Sequence, residues 1–121
     1  PEERKLMKKA GVTVFSISDI DRLGIAQTID NVVKFFRERV DTIHVSFDID
    51  AIDPRFAPGV GIEVPGGLSY REVLFVMEEL AATHLVSSAD VVEVNPIHDL
   101  RNTTAQMAVN LIGRLFGETT F

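Results

Sequence analysis

The sequence contains no cysteine among its 121 residues, and no long run of apolar residues interrupts it. Without cysteine there is no disulfide framework and no thiolate chemistry, so any metal site must use carboxylates and histidines. An apolar run of roughly 20 residues would be needed to cross a bilayer, so we expect no membrane span. Absent cysteines are also typical of cytosolic proteins, and we therefore expect a cytoplasmic location.

Basic residues are outnumbered as well. The chain has 12 Lys and Arg against 18 Asp and Glu, which gives a formal net charge of −6. A nucleic-acid partner is not expected, because phosphate binding needs clustered Lys and Arg. The chain starts with Pro1 and a charged segment that lacks the apolar stretch of a signal peptide. We expect a processed chain or a fragment of a longer protein.

Apolar periodicity alternates between strand-like and helix-like along the chain. Such alternation predicts an α/β fold in which helices cover a parallel sheet, a three-layer αβα arrangement with about three strands and three to four helices. The capping pattern Ser69-x-x-Glu72 predicts the start of one of these helices. The predicted strands are residues 12–17, 42–48 and 89–94, and the predicted helices are residues 2–10, 19–39, a segment from about 70, and 103–116.

Acidic residues follow the second predicted strand. Asp48 and Asp50 are two residues apart, which in a strand places both carboxylates on one side, about 6.6 Å apart. Two such carboxylates repel each other, and one or two divalent cations would remove the repulsion and support hydrolysis. The alternative is local: Asp48 begins a turn, Asp50 caps a short segment, and Asp53 forms a turn before Pro54.

A further acid, Glu93, ends the third predicted strand, so it falls on the same edge of the sheet as Asp48 and Asp50. There it could act as a base or hold a cation such as a guanidinium, although an exposed edge position explains it equally well. His98 lies close to this edge, where a ligand or proton-shuttle role competes with that of a solvated loop residue. His44, inside a strand, is expected to be a hydrogen-bonded core residue or to contact a helix.

Four motifs together resemble the ureohydrolase family of arginase, agmatinase and formimidoylglutamase, and within it arginase most. The nine-residue SFDIDAIDP motif is the most specific of them. The resemblance covers nearly the whole chain but corresponds to the carboxyl-terminal third or so of an arginase domain. The motifs are SFDIDAIDP (46–54), FAPGVG (56–61), GGLSYRE (66–72) and VEVNP (92–96).

The resemblance implies residue roles. Asp48 matches the carboxylate that bridges two manganese ions, Asp50 a carboxylate bound to one of them, and Glu93 the acid that holds the substrate guanidinium. In the family, a hydroxide that bridges the metals attacks the guanidinium carbon of L-arginine and yields L-ornithine and urea. Arg71 and Glu72 match positions that contribute to subunit contacts in some arginases, which implies a homo-oligomer, a trimer or hexamer.

The chain also departs from the family pattern. It has Gly61-Ile62-Glu63 where the family usually has Gly-Thr-Pro, which leaves agmatine or another guanidino compound as alternative substrates. The histidines and the Asp-x-His-x-Asp motif that complete the metal site are absent from residues 1–121. We therefore expect residues 1–121 to be the carboxyl-terminal part of one domain, with weak manganese binding and no turnover alone. A non-catalytic association domain is the alternative of another class.

Overall fold

Helices and strands alternate along the chain, as the periodicity predicts. The structure is a computed structural model that describes residues 2–117, apart from the side chain of Arg4. Pro1 and residues 118–121, which belong to the predicted domain, lie outside the described residues. Across the described part, none of the helices combines the length and the apolar character needed to span a membrane. The elements are α1 (Glu2–Lys9), α2 (Ile17–Arg37), β1 (Ile43–Asp48), a 3₁₀ turn (Ile49–Ala51), α3 (Tyr70–Ala82), β2 (Val86–Val92) and α4 (Thr103–Leu115).

The two strands form a parallel pair, in which Asp48 at the end of β1 lies opposite Val92 at the end of β2. Parallel strands need a crossover, and α3 supplies it between them. Alternate residues of β1 point to one face, where they pack with the helices. The fully buried side chains of this core include Ile49, Ile52, Val60, Val73, Met77 and Leu111.

The opposite face of the sheet is polar, whereas the predicted three-layer αβα arrangement would have helices on both faces of the sheet. His44, Ser46 and Asp90 lie on this face and are exposed within the described residues. The prediction of His44 as a core residue was therefore wrong, since 52% of its side chain is exposed. The α/β class and the parallel sheet are confirmed, with two strands in the described residues and one covered sheet face.

Residues 12–16 form no strand in the structure, so the first predicted strand was wrong. Apolar, β-branched composition favours a strand, but a strand also needs a neighbour that accepts its backbone hydrogen bonds. No strand pairs with this segment among the described residues, and Val12 and Val14 are 53% and 52% exposed. Ile17, the last residue of the predicted strand, instead begins α2.

The last strand is displaced from its predicted position. It covers Val86–Val92, three residues earlier at its start than the predicted segment 89–94. Its end is set by Glu93, whose φ of 67° is left-handed and cannot continue a β-ladder. Glu93 thus lies just beyond the strand, at the carboxyl edge of the sheet.

The predicted helices are confirmed, and α3 begins with the predicted capping box. The Ser69 hydroxyl accepts a hydrogen bond from the Glu72 backbone N–H at 3.2 Å, and the Glu72 carboxylate accepts from the Ser69 N–H at 2.7 Å. These two bonds satisfy backbone donors that a helix start otherwise leaves unpaired. The helix α2 contains a kink at Gly24, where φ is 78°.

A long loop connects the 3₁₀ turn to α3, and its two ends are joined. Leu68 donates its N–H to the Ala51 carbonyl, and Asp53 donates its N–H to the Leu68 carbonyl, both at 2.9 Å. A Cβ on Gly67 would lie 2.6 Å from the Ala51 carbonyl oxygen, so only glycine allows the two segments to approach this closely. The loop is therefore closed at its base, directly after the acidic motif.

Asp53 anchors this closure. Its carboxylate accepts hydrogen bonds from the Arg55 side chain at 2.8 Å, the Arg55 backbone N–H at 3.0 Å and the Gly66 N–H at 2.8 Å. The residue is only 2% exposed. The Arg55 hydrogen bonds, followed by that of Gly66, lower the pKa of Asp53 far below its usual range. Asp53 forms the predicted turn, and its carboxylate also holds the backbone of Gly66 beside it.

We predict that Asp53→Asn lowers the Tm of the protein by about 5 °C or more at neutral pH, because it removes a charged acceptor of several N–H groups. A group with a lowered folded pKa stabilises the protein above its unfolded pKa, and this stabilisation is lost as pH falls. Between pH 6 and pH 3, the Tm of the wild type should therefore fall by more than the Tm of Asp53→Asn. Thermal unfolding followed by circular dichroism measures both effects.

The matched control is Asp30→Asn, the same substitution at an exposed position of α2. Equal Tm values for the two variants across the pH range would contradict the anchoring role of Asp53.

Candidate functional site

The parallel register brings the predicted acidic residues to one edge of the sheet. Asp48 is the last residue of β1, and Glu93 directly follows Val92, its neighbour across the ladder. Asp50 lies in the 3₁₀ turn that continues from β1. All three predicted site residues therefore occupy the carboxyl edge, where open α/β sheets bind their ligands.

Asp48 and Asp50 are joined by a local bend rather than by the strand spacing expected from the sequence. The chain leaves the strand at Ile49, and the Asp48 carboxylate accepts a hydrogen bond from the Asp50 backbone N–H at 3.1 Å. Part of the local alternative is thus present, since Asp48 caps the 3₁₀ turn. The bend keeps both carboxylates at the end of β1.

The electrostatics of this edge favour a cation. Burial, then the negative charge and hydrogen bonding of Asp48, then the charge of Glu93, together raise the pKa of Asp50. Like charges raise the pKa of a carboxyl group because its ionised form is repelled by its neighbours. A bound cation would relieve that repulsion for all three groups.

Glu93 has an unusual backbone conformation. A φ of 67° is rare for a residue with a Cβ, and such strain is concentrated at functional sites. Its carboxylate oxygen Oε2 lies 3.6 Å from the position that a Cβ on Gly61 would occupy. The backbone on either side is paired, because Val94 forms an antiparallel bridge with Val60. Glu93 therefore faces the loop segment that ends in Gly61.

Two carboxylates provide oxygen ligands of the kind that Mn²⁺ and Mg²⁺ prefer. Within residues 2–117, however, no three His, Cys, Asp or Glu side chains are grouped so that they could hold a metal ion. Asp48 and Asp50 have the right chemistry for such a cation and lie at one edge of the sheet, but these two side chains alone do not make a complete metal site.

The histidines make structural contacts. His98 forms a hydrogen bond through Nδ1 to the Val60 carbonyl at 2.9 Å, so this nitrogen donates its proton to the backbone. His44 contacts the Ser88 hydroxyl at 2.8 Å and the Asp90 carboxylate at 2.9 Å. The Ser46 hydroxyl donates to the same carboxylate at 2.8 Å, and these bonds, that of Ser46 first, lower the pKa of Asp90.

Arg71 and Glu72 lie at the start of α3, and their environments differ. The Glu72 carboxylate is occupied by the capping box. The Arg71 side chain is 72% exposed and lies 3.6 Å from the Glu78 carboxylate. A role in subunit contacts therefore stays a prediction for both residues, and Arg71 has the more accessible side chain.

Two polar networks were missed by the sequence reasoning. The first is the Asp53 anchor, which the spacing of Asp53 and Pro54 identified only as a turn. The second is the polar sheet face around Asp90, for which there was a signal: polar residues occur at every second position of β1, at His44, Ser46 and Asp48.

The sequence has well-defined relatives. It is 50% identical over 118 residues to the arginase of Staphylococcus aureus (strain COL), an alignment that covers 97% of this chain and 39% of that protein. The arginase of Bacillus caldovelox is 46% identical over 116 residues, which are 96% of this chain and 39% of that protein. The chain thus spans about two fifths of the length of these relatives.

Solved structures agree with this result. The native arginase of Bacillus caldovelox superposes with a TM-score of 0.94 at 44% identity, over 99% of this chain and 40% of that one. The formimidoylglutamase of Bacillus subtilis gives a TM-score of 0.89 at 27% identity, over 98% of this chain and 38% of that one. The predicted arginase-like fold is therefore confirmed. The profile of the Arginase family matches residues 1–117, almost the whole chain, and the protein belongs to that family.

Proposed function

We propose that this chain forms the carboxyl-terminal part of a single arginase domain, residues 1–121, in a protein that hydrolyses L-arginine to L-ornithine and urea. The observation that carries the proposal is the gathering of Asp48, Asp50 and Glu93 at the carboxyl edge of the parallel sheet. The relatives named arginase, at about half sequence identity, support the same reaction. A cytoplasmic location belongs to this proposal, because the chain contains no cysteine.

Asp48 and Asp50 would be the residues of this chain that hold manganese in the complete site. When bound, manganese lowers the pKa of water and so provides a nucleophile at neutral pH. Asp48 is fixed by its place at the end of β1 and by the N–H of Asp50, so its carboxylate is oriented before any ion arrives. Other ligands must be supplied by residues outside this chain's described part.

Glu93 would hold the guanidinium of the substrate. A carboxylate can accept two parallel hydrogen bonds from a planar guanidinium, which fixes both its position and its plane. The negative charge of Glu93 also offsets the repulsion between a cationic substrate and a metal centre. Hydrolysis breaks the bond between the guanidinium carbon and the side-chain nitrogen, so orienting that carbon is the main task of this residue.

The substrate preference depends on the segment after Gly61. Ile62 and Glu63 are exposed where the family usually has Thr and Pro, so this chain lacks the family's threonine hydroxyl at position 62. The relatives named arginase favour L-arginine, whereas the altered segment keeps agmatine as the second candidate. Arg71, exposed at the start of α3, would join copies of the protein into a trimer or hexamer, with Glu72 shaping the helix start.

Manganese stoichiometry tests the metal assignment. We expect two ions per chain in the full-length protein, and one weakly bound ion or none in residues 1–121 alone, because two carboxylates fill few coordination positions. Asp48→Asn in the full-length protein should remove at least one ion, whereas Asp30→Asn should remove none. Equilibrium dialysis measures the counts. Two tight ions in residues 1–121 alone, lost in Asp48→Asn, would contradict the proposal that this chain holds only part of the site.

Glu93→Gln tests the guanidinium site separately from the metal. The amide keeps the shape of the side chain but removes its charge, so we expect kcat/KM for L-arginine to fall by about 100-fold or more. The manganese count should stay at the wild-type value, because Glu93 is not proposed as a ligand. Unchanged kinetics, or loss of a manganese ion, would show that Glu93 has another role.

The ratio of kcat/KM for L-arginine and agmatine decides between the two substrates. We expect L-arginine to be preferred by at least about 10-fold, because a site built for the substrate's α-carboxylate loses those bonds with agmatine. Urea release measures both reactions, and Ile62→Thr, which introduces the family's threonine, should increase the preference. A reversed ratio in the wild type would assign the protein to the agmatinases.

A further inference from the structure

The turn that follows Glu93 is bonded to the loop segment that lies beside it. The Asn95 N–H donates to the Gly59 carbonyl at 2.7 Å, and His98 donates through Nδ1 to the Val60 carbonyl at 2.9 Å. Together with the bridge between Val60 and Val94, these bonds fix the loop segment to the strand end. We call residues 95–104, which hold segment 59–61, the clasp.

Asp99 organises the clasp from within. Its Oδ1 accepts hydrogen bonds from the N–H groups of Leu100 and Thr104, and its Oδ2 accepts from Ala105 at 3.0 Å. Burial raises the pKa of Asp99, but these donors outweigh burial and lower it. Asn102, at the N-cap position of α4, makes no side-chain capping bond. Asp99 therefore caps α4 although it lies three residues before the N-cap residue, Asn102.

The same side chain packs against the loop. A Cβ on Gly59 would lie 2.6 Å from both Cβ and Cγ of Asp99, so Gly59 leaves the space that Asp99 fills. The Gly59 N–H donates to the hydroxyl of Thr104 at 2.8 Å, and Thr104 is fully buried. The Thr104 backbone N–H in turn donates to the Asp99 carboxylate at 3.0 Å. Gly59 is thus held by Asp99 and Thr104 at the start of α4.

Two residues further along the loop, Gly61 faces the carboxylate of Glu93, with Oε2 3.6 Å from its virtual Cβ. A displacement of Gly59 would be transmitted through Val60, which is buried and bridged to Val94. The position of Gly61 beside Glu93 therefore depends on the contacts that Asp99 makes with Gly59, two residues earlier in the loop.

We infer that Asp99 is a positioning residue for Glu93: it holds Gly59–Gly61, the loop wall beside the guanidinium-binding carboxylate, at its working distance. The inference rests on the proposed function for its effect on substrate, and on the contacts above for its effect on the loop. A role confined to capping α4 would change stability without changing substrate binding.

The test compares Asp99→Asn with Asp19→Asn in the full-length protein. Asp19 is the matched control, because its carboxylate accepts a backbone N–H, that of Ser16, at the start of another helix, α2. His98→Ala is a milder variant that keeps the cap of α4 and removes only the bond to Val60. KM and kcat for L-arginine are measured together with hydrogen exchange at the Asn95 amide, which the clasp protects.

For Asp99→Asn we expect KM to rise about 10-fold with kcat changed less than about 3-fold, and exchange at Asn95 to speed up about 10-fold or more. His98→Ala should show a smaller shift of the same kind, and Asp19→Asn should show neither. If Asp99→Asn fails to fold, Asp99→Glu, which keeps the charge but changes the length of the side chain beside Gly59, is measured in the same way and should show the same rise in KM.

A lowered Tm in Asp99→Asn with unchanged KM and unchanged exchange at Asn95 would overturn the inference and leave Asp99 as a helix cap. So would a wild-type KM in His98→Ala together with wild-type exchange. The wild type could also fail to hydrolyse arginine while exchange at Asn95 still speeds up in Asp99→Asn. That result would overturn the proposed function and support the role of Asp99 in the clasp.

Discussion

The parallel pairing of β1 and β2 is the constraint on which the site depends. It places Asp48 opposite Val92, so the chain turns away from both strands at the same level, into the 3₁₀ turn on one side and Glu93 on the other. Three carboxylates lie at this edge, and burial, together with the negative charge and hydrogen bond of Asp48 and the charge of Glu93, raises the pKa of Asp50. A sheet of two strands is thus sufficient to gather them, although it does not complete a metal centre.

One buried carboxylate, that of Asp53, and one half-buried carboxylate, that of Asp99, hold the loop around this edge. Asp53 joins the loop base through Arg55 and Gly66, and Asp99 joins the far part of the loop to the start of α4. Each has its pKa lowered by the N–H groups that surround it, so each is ionised at neutral pH. Glycines at positions 59 and 67 allow the close backbone approach that both anchors need. The loop is therefore ordered by polar contacts as much as by its buried apolar residues.

The sequence was sufficient for features that are local. Helical periodicity and the Ser69–Glu72 pattern located the helices, and the SFDIDAIDP motif located the acidic edge. Features that depend on a distant partner could not be predicted in the same way. Residues 12–17 have a strand's composition but no strand beside them in the described chain. The left-handed backbone of Glu93 has no sequence signal, and it precedes the bridge between Val94 and the distant Val60. The capping role of Asp99 likewise spans two elements.

The polar face of the sheet has a consequence for how accurately the strands are aligned. His44 is bonded across the ladder to Ser88, and Ser46 to Asp90. A slip of one strand by one residue would separate both pairs and turn one member of each pair to the opposite face of the sheet. It would also move Asp48 by about 3.3 Å relative to Glu93, more than a hydrogen bond tolerates. These cross-strand bonds therefore favour the native register over a shifted one, and the spacing between Asp48 and Glu93 depends on that register.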